Sequence, residues 1–369
     1  MDILNIMSLQ HFEHKFRPYL QKFLPKKAFI TLYSVARTKA LKSFENFTPK
    51  SAIKADTKPT ILFDKLNFRN DLGNAAGFDK DGSLLAFNYK IGAGFAVVGT
   101  VLNKEHTGNL YTNYGFESNM WTPLPHSDSA INSLGLPSKG INTTLDNIKR
   151  FQDTYQPKNF PIGLSIMGHP LDEGYKKHDG VLECIEKAKA HVDFFEINES
   201  CPNVCHKESD LSELQQRLKT IHQSRLIDGN PIPVLIKMGV IPDAKALLEI
   251  LNAENIEGLV ALNTQTDYEN LKSKLDQNDT SLFDTYTQNF KGGVSGKVIA
   301  NHTMNTIKSL HEINETLNKK LVLVHVGGIS TKEDINHSRQ FAPLREWYTC
   351  FMSALGSKEW ETIYPDITK

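Results

Sequence analysis

Eight short runs rich in β-branched, aromatic or small residues recur from residue 71 to residue 351, separated by segments whose apolar positions have helical spacing. They are DLGNAAG (71–77), GFAVVGT (94–100), PIGLSIMG (161–168), FFEINES (194–200), PVLIKMG (233–239), GLVALNT (258–264), LVLVHVGG (321–328) and, most weakly, LREWYTCF (344–351). Strands that alternate with helices pair in parallel, because a parallel neighbour needs a crossover long enough to hold a helix. Near-continuous apolar character means that both faces of such strands are covered. Eight strands close the sheet, so the predicted fold is α/β, a (β/α)8 TIM barrel with an N-terminal helical extension. Segment 101–160 is inserted between the second and third runs, and 265–300 forms a second excursion that ends in GGVSGK (292–297).

Residues 1–50 stand outside this repeat, which makes 51–369 the barrel domain. Between residues 9 and 46 the positions Phe12, Phe16, Tyr19, Leu20, Phe23, Leu24, Phe29, Ile30, Tyr33, Leu41 and Phe44 fall three or four apart. That spacing predicts amphipathic helix, with Pro18 and Pro25 breaking it into two or three short pieces. Lys15, Arg17, Lys22, Lys26, Lys27, Arg37, Lys39 and Lys42 lie between the apolar positions and leave a basic polar face. Two readings are open for this appendage: it packs on the main domain, or it lies on a membrane surface with rings in the acyl layer and lysines at the headgroups. The first 20 residues hold Asp2, Glu13 and histidines without a continuous apolar run, so neither a signal peptide nor a spanning helix is expected.

Charge narrows the class of ligand. Lys plus Arg and Asp plus Glu are both 42, so no global field gathers nucleic acid, and an anionic ligand must be held by local groups. Four cysteines in 369 residues form no disulfide framework, which fits a reducing compartment. Cys184 and Cys350 read as ordinary buried thiols. Cys201 and Cys205 are four apart with no second ligand pair, so no metal site is expected.

Ligand groups of a barrel cluster just after the carboxyl ends of its strands, and this chain places its unusual residues there. The turns Gly292-Gly293-Val294-Ser295-Gly296 and Gly327-Gly328-Ile329-Ser330 suit a phosphate monoester, because glycine lets backbone N–H groups approach the oxygens. Lys80 and Lys237 each sit at the mouth end of a strand, and Lys237 follows VLI in a run too apolar for a surface strand. A cation there stabilises an electron-rich ring or an anion. Asn132, Asn198, Asn203 and Asn263 lie on four different mouth loops, and converging amides read the donor and acceptor edges of a planar heterocycle. Cys201, between two of them and near the lysines, is a candidate base or nucleophile, since an ordinary thiol pKa of ~8.5 lies close to neutrality.

In order and rough spacing, LGNAAGFDKDG, VVGTV, INSLGLPSKG, EINESCPN, VLIKMG, ALNT, GGVSGK and VGGIS resemble the motifs of the dihydroorotate dehydrogenases over about residues 60–350. The amino-terminal helices resemble the extension of the quinone-linked, membrane-associated class. The resemblance implies oxidation of dihydroorotate to orotate in pyrimidine biosynthesis, with FMN as cofactor and quinone as the next electron acceptor. It places Cys201 as the base that takes a proton from C5 while hydride leaves C6. It assigns Ala76, Gly77, Phe78, Asp79, Lys80, Thr100, Ser165, Asn198, Lys237, Gly296, Gly328, Tyr348 and Thr349 to the flavin. Lys80, Asn132, Ser133, Leu134, Gly135, Leu136, Asn198, Asn203, Asn263 and Thr264 are assigned to the substrate. It also implies peripheral attachment to the inner face of the cytoplasmic membrane, with a cytoplasmic location as the alternative.

Three departures accompany the match. Quinone-linked members usually carry serine at the base position, and soluble members carry the cysteine seen here. Ser165 likewise stands where quinone-linked enzymes have asparagine. APLRE precedes WYTCF where the family has a small-residue turn, so Arg345 and Glu346 put charge into the last strand, a conflict that marks function or decay. Two alternatives therefore stand beside the main reading: a related FMN-dependent dihydropyrimidine-type oxidoreductase using a soluble acceptor, and a diverged flavin-binding paralogue without turnover.

Overall fold

The computed structural model describes residues 3–45, 59–63, 65–199, 211–241, 243–357 and 362–368. Eight parallel strands close into one barrel: β1 (Leu72–Asp79), β2 (Ala96–Val101), β3 (Ile162–Ile166), β4 (Phe194–Asn198), β5 (Val234–Met238), β6 (Gly258–Ala261), β7 (Val322–Val326) and β8 (Leu344–Trp347). They follow one another around the ring in chain order, and β8 closes on β1 with Glu346 opposite Gly73. All eight apolar runs thus become strands, the charged last one included.

Side chains alternate between the inside and the outside of the ring. Inside, the lower layer is apolar: Val97, Phe194, Leu235, Val260, Val324 and Leu344 pack with Phe68 and Phe95. Phe68 belongs to a two-stranded hairpin, Thr60–Leu62 with Leu66–Phe68, and meets Phe95 edge-on at 5.4 Å, so this end of the barrel is plugged. Outside, helices cover the wall with their apolar stripes. Helix Gly140–Tyr155 buries Ile141, Thr144, Leu145, Ile148 and Phe151, the three-and-four spacing of one helical face.

The two excursions build one structure together. Strands Leu110–Asn113, Phe116–Leu124, Ser129–Ser133 and Gly293–Gly296 form an antiparallel sheet at the barrel mouth. GGVSGK is therefore largely a strand, not only a turn, and its partner is the insertion that follows β2.

The appendage forms two helices, α1 (Ile3–Phe23) and α2 (Lys26–Glu45), which meet at Pro25. Pro18 does not break α1, contrary to the sequence expectation. A proline inside a helix costs roughly 3 kcal/mol, and tertiary contacts offset it here: α1 packs along helix Thr349–Ser357, and Gln21 donates to Asp279 at 2.9 Å. α2 lies on the mouth sheet, burying Phe29, Ile30 and Tyr33 against Met120, Ile131, Tyr286 and Val294. Each such side chain contributes about 1.5–3 kcal/mol of burial. Ser34 fixes the register, with Oγ donating to the Trp121 carbonyl at 2.9 Å and accepting its N–H at 3.0 Å. The apolar positions of the appendage thus divide: those of α2 pack inward, whereas Phe12, Phe16, Tyr19 and Phe23 of α1 are exposed.

Candidate active site

One cavity of about 1060 Å³, counting its open mouth, occupies the carboxyl ends of the strands under the mouth sheet. From the sequence assignments, Ala76, Gly77, Lys80, Thr100, Asn198 and Lys237 line it on the barrel side. Asn263, Thr264, Gly296, Gly328, Tyr348 and Thr349 complete the late-loop wall, and Asn132, Leu134 and Leu136 reach in from the insertion. Cys201 and Asn203 lie outside the described residues.

Five assigned residues are not on the wall. Phe78 is core, 5.2 Å from the Phe351 ring and edge-on to it, because consecutive residues of a turn cannot all face one ligand. Asp79 is turned inward to accept from the Gly82 N–H at 2.8 Å and the Leu84 N–H at 3.2 Å, so it shapes the turn that carries Lys80. Burial, with Asp81 nearby, pushes its carboxyl up to about 7. Ser133 falls on the opposite face of its strand from Asn132, and Gly135 is pressed against Asn109, where a Cβ would come within 2.3 Å. Ser165 lies one layer back, its Oγ 3.1 Å from Thr100 Oγ1.

The polar groups that do face the cavity are held in fixed orientations. Asn198 Nδ2 donates to Thr100 Oγ1 at 3.0 Å, and Asn132 Nδ2 donates to the Gly293 carbonyl at 3.3 Å. Asn263 Oδ1 accepts the Thr264 N–H at 2.8 Å. The three amides come from β4, the insertion and the loop after β6, so the predicted convergence is met at these positions.

Lys237 points into the barrel, as its place after VLI requires. Its Nζ is 3.3 Å from Glu196 and 3.2 Å from Glu346, with all three side chains at most 4% exposed. Burial pulls the ammonium pKa down, but the two carboxylates outweigh it and leave the pKa above its ordinary value. Burial together with Glu196 pushes Glu346 up to about 8, against the opposing pull of Lys237. The two charges that conflicted with a final strand are separated by alternation. Glu346 faces inward, and Arg345 faces outward, where Nη1 donates to Asp71 at 2.7 Å and Nε to Ser338 at 3.1 Å.

Several lining residues escaped the sequence reading. Arg37 of α2 reaches the cavity and donates through Nη2 to the Tyr348 hydroxyl at 2.8 Å, while its Nε is buried with no partner among the described residues. No local sequence signal separates Arg37 from the other basic residues of the appendage. Glu196, which lies behind the wall on Lys237, was legible in principle, since it lies two residues from both Phe194 and Asn198 and so shares their inward phase. Ser295, bonded to Thr349 at 2.8 Å, and Trp121 also line the wall.

The far end of the cavity is suited to an anion. Gly328 has φ +75°, and a Cβ there would meet Ala300 Cα at 2.4 Å, so only glycine allows this turn to close on the start of helix Ala300–Asn314. Neither that helix nor helix Thr349–Ser357 carries an acidic residue in its first turn. Their amino ends and the glycine turns leave backbone donors for oxygens.

A family model described as dihydroorotate dehydrogenase matches residues 60–361. The chain belongs to the dihydroorotate dehydrogenase family. The match spans the barrel, both excursions and every strand that lines the cavity. A protein of Christiangramia forsetii named dihydroorotate dehydrogenase (quinone) is 29% identical over 295 residues, covering 78% of each chain. One of the same name from Thermus thermophilus is 28% identical over 299 residues, covering 78% of this chain and 76% of its own. The crystal structure of DHODH from Eimeria tenella in complex with ferulenol superposes with a TM-score of 0.68 at 19% identity, over 88% of this chain and 89% of that one. That likeness concerns the fold. The family comprises flavin-dependent oxidoreductases, and the donor set here fits such a group: a buried cation, oriented amides and a glycine-lined anion pocket in one cavity.

Proposed function

We propose that this family member oxidises dihydroorotate to orotate in pyrimidine biosynthesis, with FMN as cofactor and quinone as electron acceptor. The observation that carries the proposal is the convergence of Asn132, Asn198 and Asn263 with Lys80 and Lys237 on one cavity that ends in glycine turns. When bound, FMN supplies a two-electron acceptor for the hydride from C6. Gly296, Gly328 and the adjoining helix ends would hold its phosphate, and Lys237 would lower the cost of negative charge on the ring. The three amides would orient the planar diamide of the substrate, and Lys80 would pair with its carboxylate. Cys201 would take the C5 proton, since an ordinary thiol pKa of ~8.5 lies close to neutrality.

The choice of quinone rests on the names of the relatives and on the appendage. Arg37 joins α2 to the cavity, and an unpartnered buried N–H suits a carbonyl oxygen. α1 leaves Phe12, Phe16, Tyr19 and Phe23 exposed beside exposed Lys15 and Lys22, a surface suited to the acyl boundary of a lipid layer. No helix of the described residues is long and apolar enough to cross a membrane, so the attachment proposed is peripheral, at the inner face of the cytoplasmic membrane. The cysteine at the base position favours a second reading, a soluble acceptor and a cytoplasmic enzyme.

Anaerobic mixing of the flavin-loaded protein with dihydroorotate tests the first half-reaction. Bleaching of the flavin is expected, with a large loss of rate in Cys201→Ala. A flavoprotein that dihydroorotate does not bleach would be the diverged paralogue, and bleaching at full rate in Cys201→Ala would remove the thiol from the mechanism. Reoxidation by quinone, fumarate or NAD in turn then decides the acceptor.

A further inference from the structure

The last barrel strand carries a charge into a layer where Lys237 already has a counter-ion. Glu196 and Glu346 both contact Lys237, at 3.3 Å and 3.2 Å, and neither carboxylate is more than 1% exposed. Two carboxylates and one ammonium leave a net negative charge out of reach of water, which is strongly unfavourable unless a proton is bound. Glu346 Oε1 has no donor among the described residues, and burial, with the charge of Glu196 nearby, favours the protonated form of Glu346. A proton on Glu346 makes that oxygen a donor to Glu196 and removes the net charge.

Resting on the flavin reading of the cavity, we infer that Glu196, Lys237 and Glu346 form a redox-linked proton store, in which Glu346 binds a proton as negative charge builds beside Lys237. Hydride from the substrate brings two electrons and one proton, and so adds one negative charge at the cavity end of Lys237. Glu346 balances that charge with a proton from water and returns it to water when the two electrons leave for the acceptor. Glu346 is a positioning residue here, acting through Lys237, which lines the cavity.

Among the described residues, Glu196 comes from β4 and Lys237 from β5, whereas the neighbouring strands β7 and β1 set Val326 and Gly73 opposite Glu346. Arg345 and His325, next to these positions in sequence, lie outside the wall on Ser338. Lys80 and Arg37 are charged groups further up the cavity.

Burial and Glu196 push Glu346 up to about 8. Below that pH it keeps its proton in both redox states and exchanges nothing. Above it, Glu346 is ionised while the cofactor is oxidised and gains a proton on reduction. The midpoint potential of the bound flavin, measured anaerobically against reference dyes from about pH 6 to about pH 10, reads this directly. Its slope against pH is proportional to the protons bound per electron pair. The slope of the native holoprotein should about double above pH 8, and that of Glu346→Gln should stay at its single-proton value throughout. Glu196→Gln removes the carboxylate that raises Glu346, so its break should move to lower pH; this variant tests the inference even where Glu346→Gln does not fold. Equal slopes in native and Glu346→Gln protein, or an unmoved break in Glu196→Gln, would overturn the proton store and leave the flavin assignment standing. Purified protein without flavin, and unable to take it up, would remove both.

Discussion

Replacing Lys237 by methionine tests the electrostatics of the barrel interior apart from turnover. The ammonium contacts Glu346 at 3.2 Å and Glu196 at 3.3 Å in a layer almost closed to solvent. At an effective dielectric constant of ~20 each contact is worth roughly 5 kcal/mol before desolvation, and removing one partner from a buried ion cluster costs about 3–5 kcal/mol. In Lys237→Met two carboxyl groups remain without a cation, so both fold protonated. A carboxyl whose folded pKa is raised holds a proton that the unfolded chain releases. Stability is therefore full below the ordinary carboxylate range and is lost as pH rises, by up to about 1.4 kcal/mol per pH unit and group. The native protein has Glu346 as one such group, with its loss complete near about 8, whereas the variant has two. The extra destabilisation should be about 1 kcal/mol near pH 5 and about 3–5 kcal/mol near pH 8. Urea denaturation of flavin-free native and variant protein, followed by circular dichroism at both pH values, measures it without ligand linkage. The double variant Lys237→Met/Glu346→Gln should recover roughly 1–3 kcal/mol near pH 8. An equal loss at both pH values, or no recovery in the double variant, would refute the reasoning.

Two further outcomes follow from the cavity wall. Gly328→Ala places a Cβ 2.4 Å from Ala300 Cα at φ +75°, so the anion turn must open; the purified variant should contain little flavin, read from the ratio of flavin to protein absorbance. Arg37→Ala should leave bleaching by dihydroorotate intact and raise the apparent KM for quinone about ten-fold or more, the loss of one charge-assisted hydrogen bond of roughly 1.5–3 kcal/mol.

The barrel was legible because its strands are buried on both faces, and this leaves uninterrupted apolar runs that need no knowledge of partners. Lys237 was legible for the same reason, as a charge inside such a run. Arg345 and Glu346 were read as one conflict because they are adjacent, although adjacent strand residues face opposite sides and meet separate partners, Asp71 and Lys237. The mouth sheet was not legible. Gly293–Gly296 pairs with Ser129–Ser133, far back along the chain, and a pairing between two insertions leaves no local periodicity. Contiguous motifs also overstate contact: of the turn at residues 76–80, Ala76, Gly77 and Lys80 reach the cavity, while Phe78 and Asp79 support it from behind.

The appendage shows why composition could not choose between packing on the barrel and lying on a membrane. Its basic residues do not act as one face. Arg17 is bound to Glu13 within α1, and Arg37 is drawn into the cavity by Tyr348, whereas Lys15, Lys22, Lys27, Lys39 and Lys42 remain exposed. Its apolar residues divide in the same way, α2 completing the core of the mouth sheet and α1 leaving four aromatic side chains to solvent. A hairpin that supplies a wall residue to the active-site cavity is part of the catalytic domain in function, wherever the domain boundary falls in sequence. Loss of activity on deleting the hairpin would therefore say nothing about lipid. Replacement of the exposed rings of α1, Phe12, Phe16, Tyr19 and Phe23, by serine separates the two roles, because these positions are neither on the cavity wall nor in the α2 core.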